Sequence, residues 1–352
     1  MFTRLIHPES ACSDFCWRSW SLLMFAFGTF SLSIAQNSVP ATDLPGKWEY
    51  QYYTESGKGG YRAEANYELT PAELTAFRKK IGDVVEFLHQ NPLTKEPIGF
   101  KPTVKGSIWT DMYEYRKHPV LWKQLSPQGE IILQFCPIYK NKTTGKLYEN
   151  CIEVSHLDVL LNDLNSTTGG FNTYKKGNEF IRVFQSPVVY KTYAPGVVAY
   201  ENGTVIISNP DSPYWIPLTI REYFELEIKF WEEQAVKDGN TYALDFAKRD
   251  YAAFTPEELD MTAYVGAQTN FSMILATTRP SDKKWMKLNL DYFDKTLPRN
   301  ALQLITIHTL PDAVMQEFTP TLGNTDYGYH FRFTRQLNVT EMAKLLDVNK
   351  PK

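Results

Sequence analysis

Apolar and polar side chains alternate along two neighbouring stretches near the start of the chain. Trp48, Tyr50 and Tyr52 alternate with Glu49, Gln51 and Tyr53. After the turn-like ESGKGG (55–60), Tyr61, Ala63, Ala65, Tyr67 and Leu69 alternate with Arg62, Glu64, Asn66 and Glu68. A period of two puts one row on a core and the other in water, so the pair predicts a half-buried hairpin. The period changes at Thr70-Pro71-Ala72-Glu73, where Thr serves as N-cap, Pro takes the first helical position and Glu the third, the pattern of a capping box. Leu74, Phe77, Ile81, Val84, Val85 and Leu88 then recur mostly at steps of three and four and stop before Pro92, which predicts a long amphipathic helix.

The middle of the chain reads as strands near 106–115, 130–139, 147–155 and 178–186, joined by polar or glycine-containing segments such as NSTTGG (165–170). A second hairpin is predicted where 197–200 and 205–207 flank Asn202-Gly203, a pair suited to the positive φ values of a type I′ turn. SNPDSPYWIPLT (208–219) leads into a second long helix, opened by the box Thr219 to Glu222, lined by Ile220, Phe224, Ile228, Trp231 and Ala235, and ended at Asp238-Gly239. Thr255-Pro256-Glu257-Glu258 opens a shorter helix, strands are expected near 271–278, 302–308 and 326–335, and 338–347 closes as a helix. The pattern predicts an α+β fold of mainly antiparallel sheets, each packed by a long amphipathic helix. Because a hairpin feeds a capped helix twice, two subdomains are expected, 36–192 and 193–352.

The first 36 residues change the picture of where this fold works. Arg4 and Arg18 precede the apolar run LLMFAFGTFSLSIA (22–35), which ends in Ser33-Ile34-Ala35 and gives way to Gln36-Asn37-Ser38. A run of 14 residues is too short to span a bilayer. The layout predicts a signal peptide, residues 1–35, cleaved after Ala35, and a periplasmic or extracellular protein. The leader holds two basic and two acidic residues, so the remainder keeps the chain's net charge of -3. No basic stripe is present, which sets nucleic-acid binding aside. Nor does any later stretch have the length and apolarity of a membrane span.

Export bears on the cysteines. Cys136 and Cys151 are the only two beyond residue 16. A zinc site would need a third and fourth ligand besides them, with only His156 close in sequence, and a redox pair would take the form C-x-x-C. Two cysteines in an exported chain predict a disulfide. A hairpin in which Cys136 faces Cys151 also sets Leu133, Phe135 and Tyr139 opposite Val154, Ile152 and Tyr148, and Gln134 and Ile138 opposite Glu153 and Glu149. With the missing N–H of Pro137 turned away from the partner strand, the cysteines form a hydrogen-bonded pair with Cα atoms ~5.5 Å apart. Pro137 further predicts an edge strand or a bulge.

Motifs that would name a reaction are absent: there is no P-loop, G-x-G-x-x-G, G-x-S-x-G or H-E-x-x-H. Ser281 to Lys284 fits S-x-x-K without the companion motifs. His308 ends the apolar strand LQLITIH and His330 lies in DYGYHFRF, expected as a strand. Either could serve as a base or ligand contact beside Asp312, Glu317 or Asp326. Tyr214 and Trp215, between Pro213 and Pro217 before a helix N-terminus, read either as an aromatic ligand platform or as a hydrophobic staple. Asn141, Asn165, Asn202, Asn270 and Asn338 begin N-x-[ST] sequons. The expectation is a protein that binds a partner protein, small molecule or glycan, with no metal, cofactor or catalysis of its own. Two alternatives are a hydrolase of carbohydrate or peptide bonds and an inhibitor-like module.

Overall fold

The computed structural model describes residues 38–53, 69–109, 126–168, 171–176, 179–266, 274–275, 283–310 and 323–349. The strands before the first helix are β1 (Ser38–Pro40) and β2 (Glu49–Tyr53), followed by helices α1 (Pro71–His89) and α2 (Pro92–Lys95). Next come β3 (Phe100–Trp109), β4 (Gln128–Asn141), β5 (Leu147–Glu149), β6 (His156–Leu161), β7 (Phe171–Lys176), β8 (Glu179–Gln185), β9 (Val189–Ala194), β10 (Val197–Tyr200), β11 (Thr204–Ser208) and β12 (Trp215–Pro217). The remainder is α3 (Ile220–Asp238), α4 (Tyr242–Ala252), α5 (Pro256–Leu259), β13 (Tyr264–Val265), β14 (Ile274–Leu275), β15 (Trp285–Leu288), β16 (Leu304–His308), α6 (Asp326–Gln336) and α7 (Val339–Met342). The expected leader, the second strand of the first hairpin, most of 271–278, Ser281, Asp312 and Glu317 lie outside the described residues.

The fold is α+β, with mostly antiparallel sheets. Ten strands form the larger one, in the order β2-β3-β4-β6-β16-β11-β10-β9, with β1 and β5 also paired to β4; four form the smaller, β12-β15-β8-β7. Among the described ladders only β2–β3 is parallel. The expected boundary after residue 192 falls inside β9, and strands from both sides of it pair in the large sheet, β6 directly with β16.

Both long helices start where their caps dictate, and α3 also stops at one. Thr70 and Glu73 close a reciprocal box on α1, Thr219 and Glu222 do so on α3, and Gly239 ends α3 in the left-handed conformation at φ 73°. Phe77, Ile81, Val84, Val85 and Leu88 of α1 share one buried cluster with Leu133 and Phe135 of β4, Leu157 and Val159 of β6, and Ile305 and Ile307 of β16. Fully burying each such side chain contributes about 1.5–3 kcal/mol. A second cluster joins Ile206 and Leu304, on the opposite face of the large sheet, to Phe184, Trp215 and Met286 of the small one. A third joins Tyr174, Val183 and Trp285 to Tyr223, Phe224 and Leu226 of α3.

Two expectations are corrected here. Residues 326–335 are helical, not a strand. The Thr325 side chain caps the start by accepting the Gly328 N–H, and Tyr329 and Phe333, four residues apart, are buried together with His330, whereas Phe331 is not. The alternating aromatics mimic a strand, and the cap with the i, i+4 burial decides the matter. The turn between β10 and β11 is likewise not type I′, because Gly203 at φ 83° is the only turn residue with positive φ. Its N–H bonds the Tyr200 carbonyl at 3.0 Å, as in a three-residue loop with glycine in the left-handed position.

The disulfide joins Cys136 and Cys151, Cα atoms 4.7 Å apart. The expected register holds for Ile138↔Glu149, Tyr139↔Tyr148 and Lys140↔Leu147. Beyond the disulfide it does not. Leu133 pairs with Leu157 and Gln134 with His156, so three extra residues bulge out of the strand, with Glu153 at φ 52° and Ile152 78% exposed instead of facing Phe135. An odd insertion flips the strand: Leu157, Val159 and Leu161 turn into the core, and His156 and Asp158, which the unbroken register would have buried, turn out of it. Pro137 is also reversed from expectation. Its carbonyl accepts the Asn150 N–H, so its missing donor faces β5, and the cysteines take the closer spacing of about 4.5 Å typical of a non-hydrogen-bonded pair.

Candidate functional site

After β15 the chain crosses to β16 through 289–303, a segment tied down by its own polar side chains. Asn289 donates its backbone N–H to the Tyr214 carbonyl (3.0 Å) and its side-chain amide to the Pro213 carbonyl (2.7 Å). The Tyr292 hydroxyl donates to the Gln303 carbonyl at 2.8 Å and accepts the Asn209 N–H. Gln303, 2% exposed, grips Asp294 through both ends of its amide, accepting the N–H and donating to the carbonyl. Asp294 in turn accepts the N–H and hydroxyl of Thr296 at 2.8 and 2.7 Å. These ties hold open a cleft of about 250 Å³ lined by Ser126, Phe293, Asp294, Lys295, Leu297, Pro298, Arg299 and Gln303. Lys295 also pairs with Asp291 at 2.9 Å, on the exposed rim. Glu73 is held below the usual carboxylate range mainly by the Thr70 N–H and hydroxyl, and to a lesser degree by the charge of Arg299.

Tyr214 and Trp215 lie behind this cleft. Trp215 is 8% exposed, packs against Phe184, Tyr200 and Tyr214, and donates its indole N–H to Thr167 at 2.8 Å. Phe293, a cleft residue, belongs to the same buried cluster. The hydroxyls of Tyr200 and Tyr214 share a 2.5 Å hydrogen bond, and burial raises both phenol pKa values. The residues placed as a staple around the Thr219 cap are Leu218 and Tyr223, which share the α3 cluster.

His308 and His330 do not converge, since they bracket β6 from opposite faces. His308 sits across the ladder from Asp158, its Nδ1 3.4 Å from the Thr204 hydroxyl. Burial lowers its pKa, and Asp158 and the Ser166 carbonyl pull it back; burial raises the Asp158 pKa, opposed by His156 and His308. His156, half-exposed, reaches Asp158 at 3.5 Å. His330 is 2% exposed on α6, stacks on Phe135 with ring centroids 5.3 Å apart, and shares a 2.7 Å bond between Nδ1 and the Ser155 hydroxyl. Asp326 binds the Ser155 N–H at 2.6 Å and does not orient the imidazole. Burial lowers the His330 pKa to about 4. Ser155, 8% exposed, and His330 thus form a sealed pair that fixes the bulge to α6.

Ser155, Asp158 and the whole cleft were missed by sequence reasoning, which weighed His156 only as a zinc ligand. The alternation of His156, Leu157, Asp158 and Val159 is the signal that could have set His156 and Asp158 in one outward row, whereas the cleft leaves no periodic trace. Among the described residues no group of three or more His, Cys, Asp or Glu could hold a metal ion, and no helix is long and apolar enough to cross a membrane. No protein-family model, curated protein or solved structure matches this chain.

Proposed function

We propose that this chain is an exported binding protein that holds a small molecule in the cleft between 289–303 and the start of β4. The observation that carries the reading is the cleft itself: an apolar floor, a few convergent polar groups, and a wall fixed by side-chain ties, the usual make-up of a ligand site. Tyr214 and Trp215 support it from behind, through Phe293 and the bonds to Asn289, without touching the ligand. The Ser155–His330 pair offers no hydrolytic alternative, because a nucleophile must be reached and this one is enclosed. Export is supported by the leader, residues 1–35 with cleavage after Ala35, and by the Cys136–Cys151 bond. In this reading the two structural units are the two sheets, each backed by one long helix, α1 or α3, and they meet at the aromatic cluster behind the cleft.

The test is a chemically diverse small-molecule library screened by amide NMR, with assigned resonances for Ser126, Phe293 and Arg299. Binders whose shifts centre on these residues support the proposal. A library that perturbs none of them, or perturbs only other surfaces, refutes it.

A further inference from the structure

We infer that the exported protein carries pyroglutamate at residue 36, a neutral lactam formed from the glutamine that cleavage after Ala35 leaves at the N-terminus. The inference rests on the proposed cleavage site and adds a covalent modification to it. In SIAQNSVP (33–40), Gln36 follows Ala35 directly. Once Gln36 is terminal, its α-amine and its side-chain amide belong to one residue, and attack of the one on the other closes a five-membered ring. The amine lone pair adds to Cδ and the new C–N bond forms. The bond from Cδ to the amide nitrogen then breaks, and that nitrogen leaves as ammonia with a proton from the attacking amine. No oxidant, reductant or co-reactant enters. Reactants held in one residue need no encounter, and an α-amine with an ordinary pKa of about 8 is partly unprotonated at neutral pH. The ring also reports the place of the cut. A cut one residue later exposes Asn37, which would have to close a strained four-membered ring, and a cut one residue earlier leaves Ala35, which has no side-chain amide.

The fold gives the blocked end something to protect. β1 begins at Ser38, two residues beyond Gln36, with Ser38 opposite Asn141, Val39 opposite Lys140 and Pro40 opposite Tyr139. The chain stays bound after the strand. The Ala41 N–H donates to the Ile138 carbonyl at 2.8 Å, the Gly46 N–H to the Pro97 carbonyl at 2.7 Å, and the Leu44 carbonyl accepts the Gly99 N–H at 2.7 Å. Chain ends are where proteolysis concentrates. An aminopeptidase, which holds a free α-ammonium, would reach a paired strand after removing only Gln36 and Asn37. The lactam has no ammonium to hold.

The full chain, leader included, is exported from a bacterial host as wild type and as Gln36→Ser, with thermal melts confirming that both fold. Each is weighed intact and as its N-terminal peptide by mass spectrometry. The expected wild type starts at residue 36 and lacks the mass of one ammonia, and stepwise degradation from the N-terminus fails until a pyroglutamate-removing peptidase is added. The variant should start at residue 36 with its full mass, and a broad-specificity aminopeptidase should shorten it while leaving the wild type intact. A wild type that starts at Gln36 with its full mass, or that is shortened alongside the variant, overturns the lactam and leaves the cleavage site standing. A variant that resists the aminopeptidase overturns the protective role. A wild type that starts at any other residue overturns the cleavage site and the lactam with it.

Discussion

Acid should unlock α6 from the sheet, and the size of the effect follows from His330. The imidazole is enclosed against Phe135, bonded to Ser155, and near His156, whose charge also disfavours its protonation. In the fold it titrates at about 4, against 6.5 for an unperturbed histidine. An unfolded chain therefore takes up the proton first as pH falls. The stabilisation is fully present above pH 6.5 and is lost progressively down to about pH 4. At about 1.4 kcal/mol per pH unit, the loss over that window amounts to roughly 3 kcal/mol, a large part of the 5–15 kcal/mol that holds a typical domain together. Urea unfolding of the wild type and His330→Gln at several pH values across the window measures it. Other ionisable side chains lie nearby, notably His156, His308, Asp158 and Asp326, so the quantity of interest is the difference between the two proteins. The wild type should lose about 3 kcal/mol more than the variant between the two ends of the window. Parallel loss in both would refute the assignment of this proton to His330.

Two further outcomes are expected. Replacing Cys136 and Cys151 together by serine should cost roughly 3 kcal/mol, the chain-entropy value for a loop of this size; peptide mapping without reductant that finds two alkylated thiols in the wild type would contradict the bond itself. Glu227 on α3 accepts the hydroxyls of Tyr174 (3.0 Å) and Tyr223 (3.3 Å) on one oxygen, and burial raises its pKa against those bonds. Its contribution is therefore fully present below the unfolded value near 4.5 and is lost as pH rises through the higher folded value. Glu227→Gln should flatten that part of the stability profile, and a wild-type-minus-variant difference that stays constant with pH would sink the assignment.

How far the sequence could be read depended on how local each determinant was. Both long helices were legible to the residue at their starts, because a capping box is a contract between residues three apart. The three pairs beside the cysteines were legible for a similar reason: a disulfide and an apolar row must agree on one register. The next few residues were not. Val154 and Ile152 suit the unbroken register locally, but it would have turned His156 and Asp158 into the α1 core two strands away. A three-residue bulge solves that long-range conflict; Pro137 points to an edge strand or a bulge, but nothing within the hairpin gives the length or the place of the insertion.

The cleft shows the same division in sharper form. Its wall runs through 289–303, where no period of two or 3.6 exists to be read, because the segment is shaped by single polar side chains reaching distant backbone: Asn289 to Pro213, Gln303 to Asp294 and Tyr292 to Gln303. Tyr214 and Trp215 stood out in the sequence because two aromatics between two prolines are unusual at a helix entrance. That conspicuousness arose from packing: with Tyr200 and Phe184, from two other segments, they form a base that Tyr292 of 289–303 packs against. The sequence thus pointed at aromatic packing next to the cleft and not at the cleft's lining. Lys295 and Arg299 look in sequence like any two cations in a polar connection, and only the fold of 289–303 brings both to the lining of one cleft.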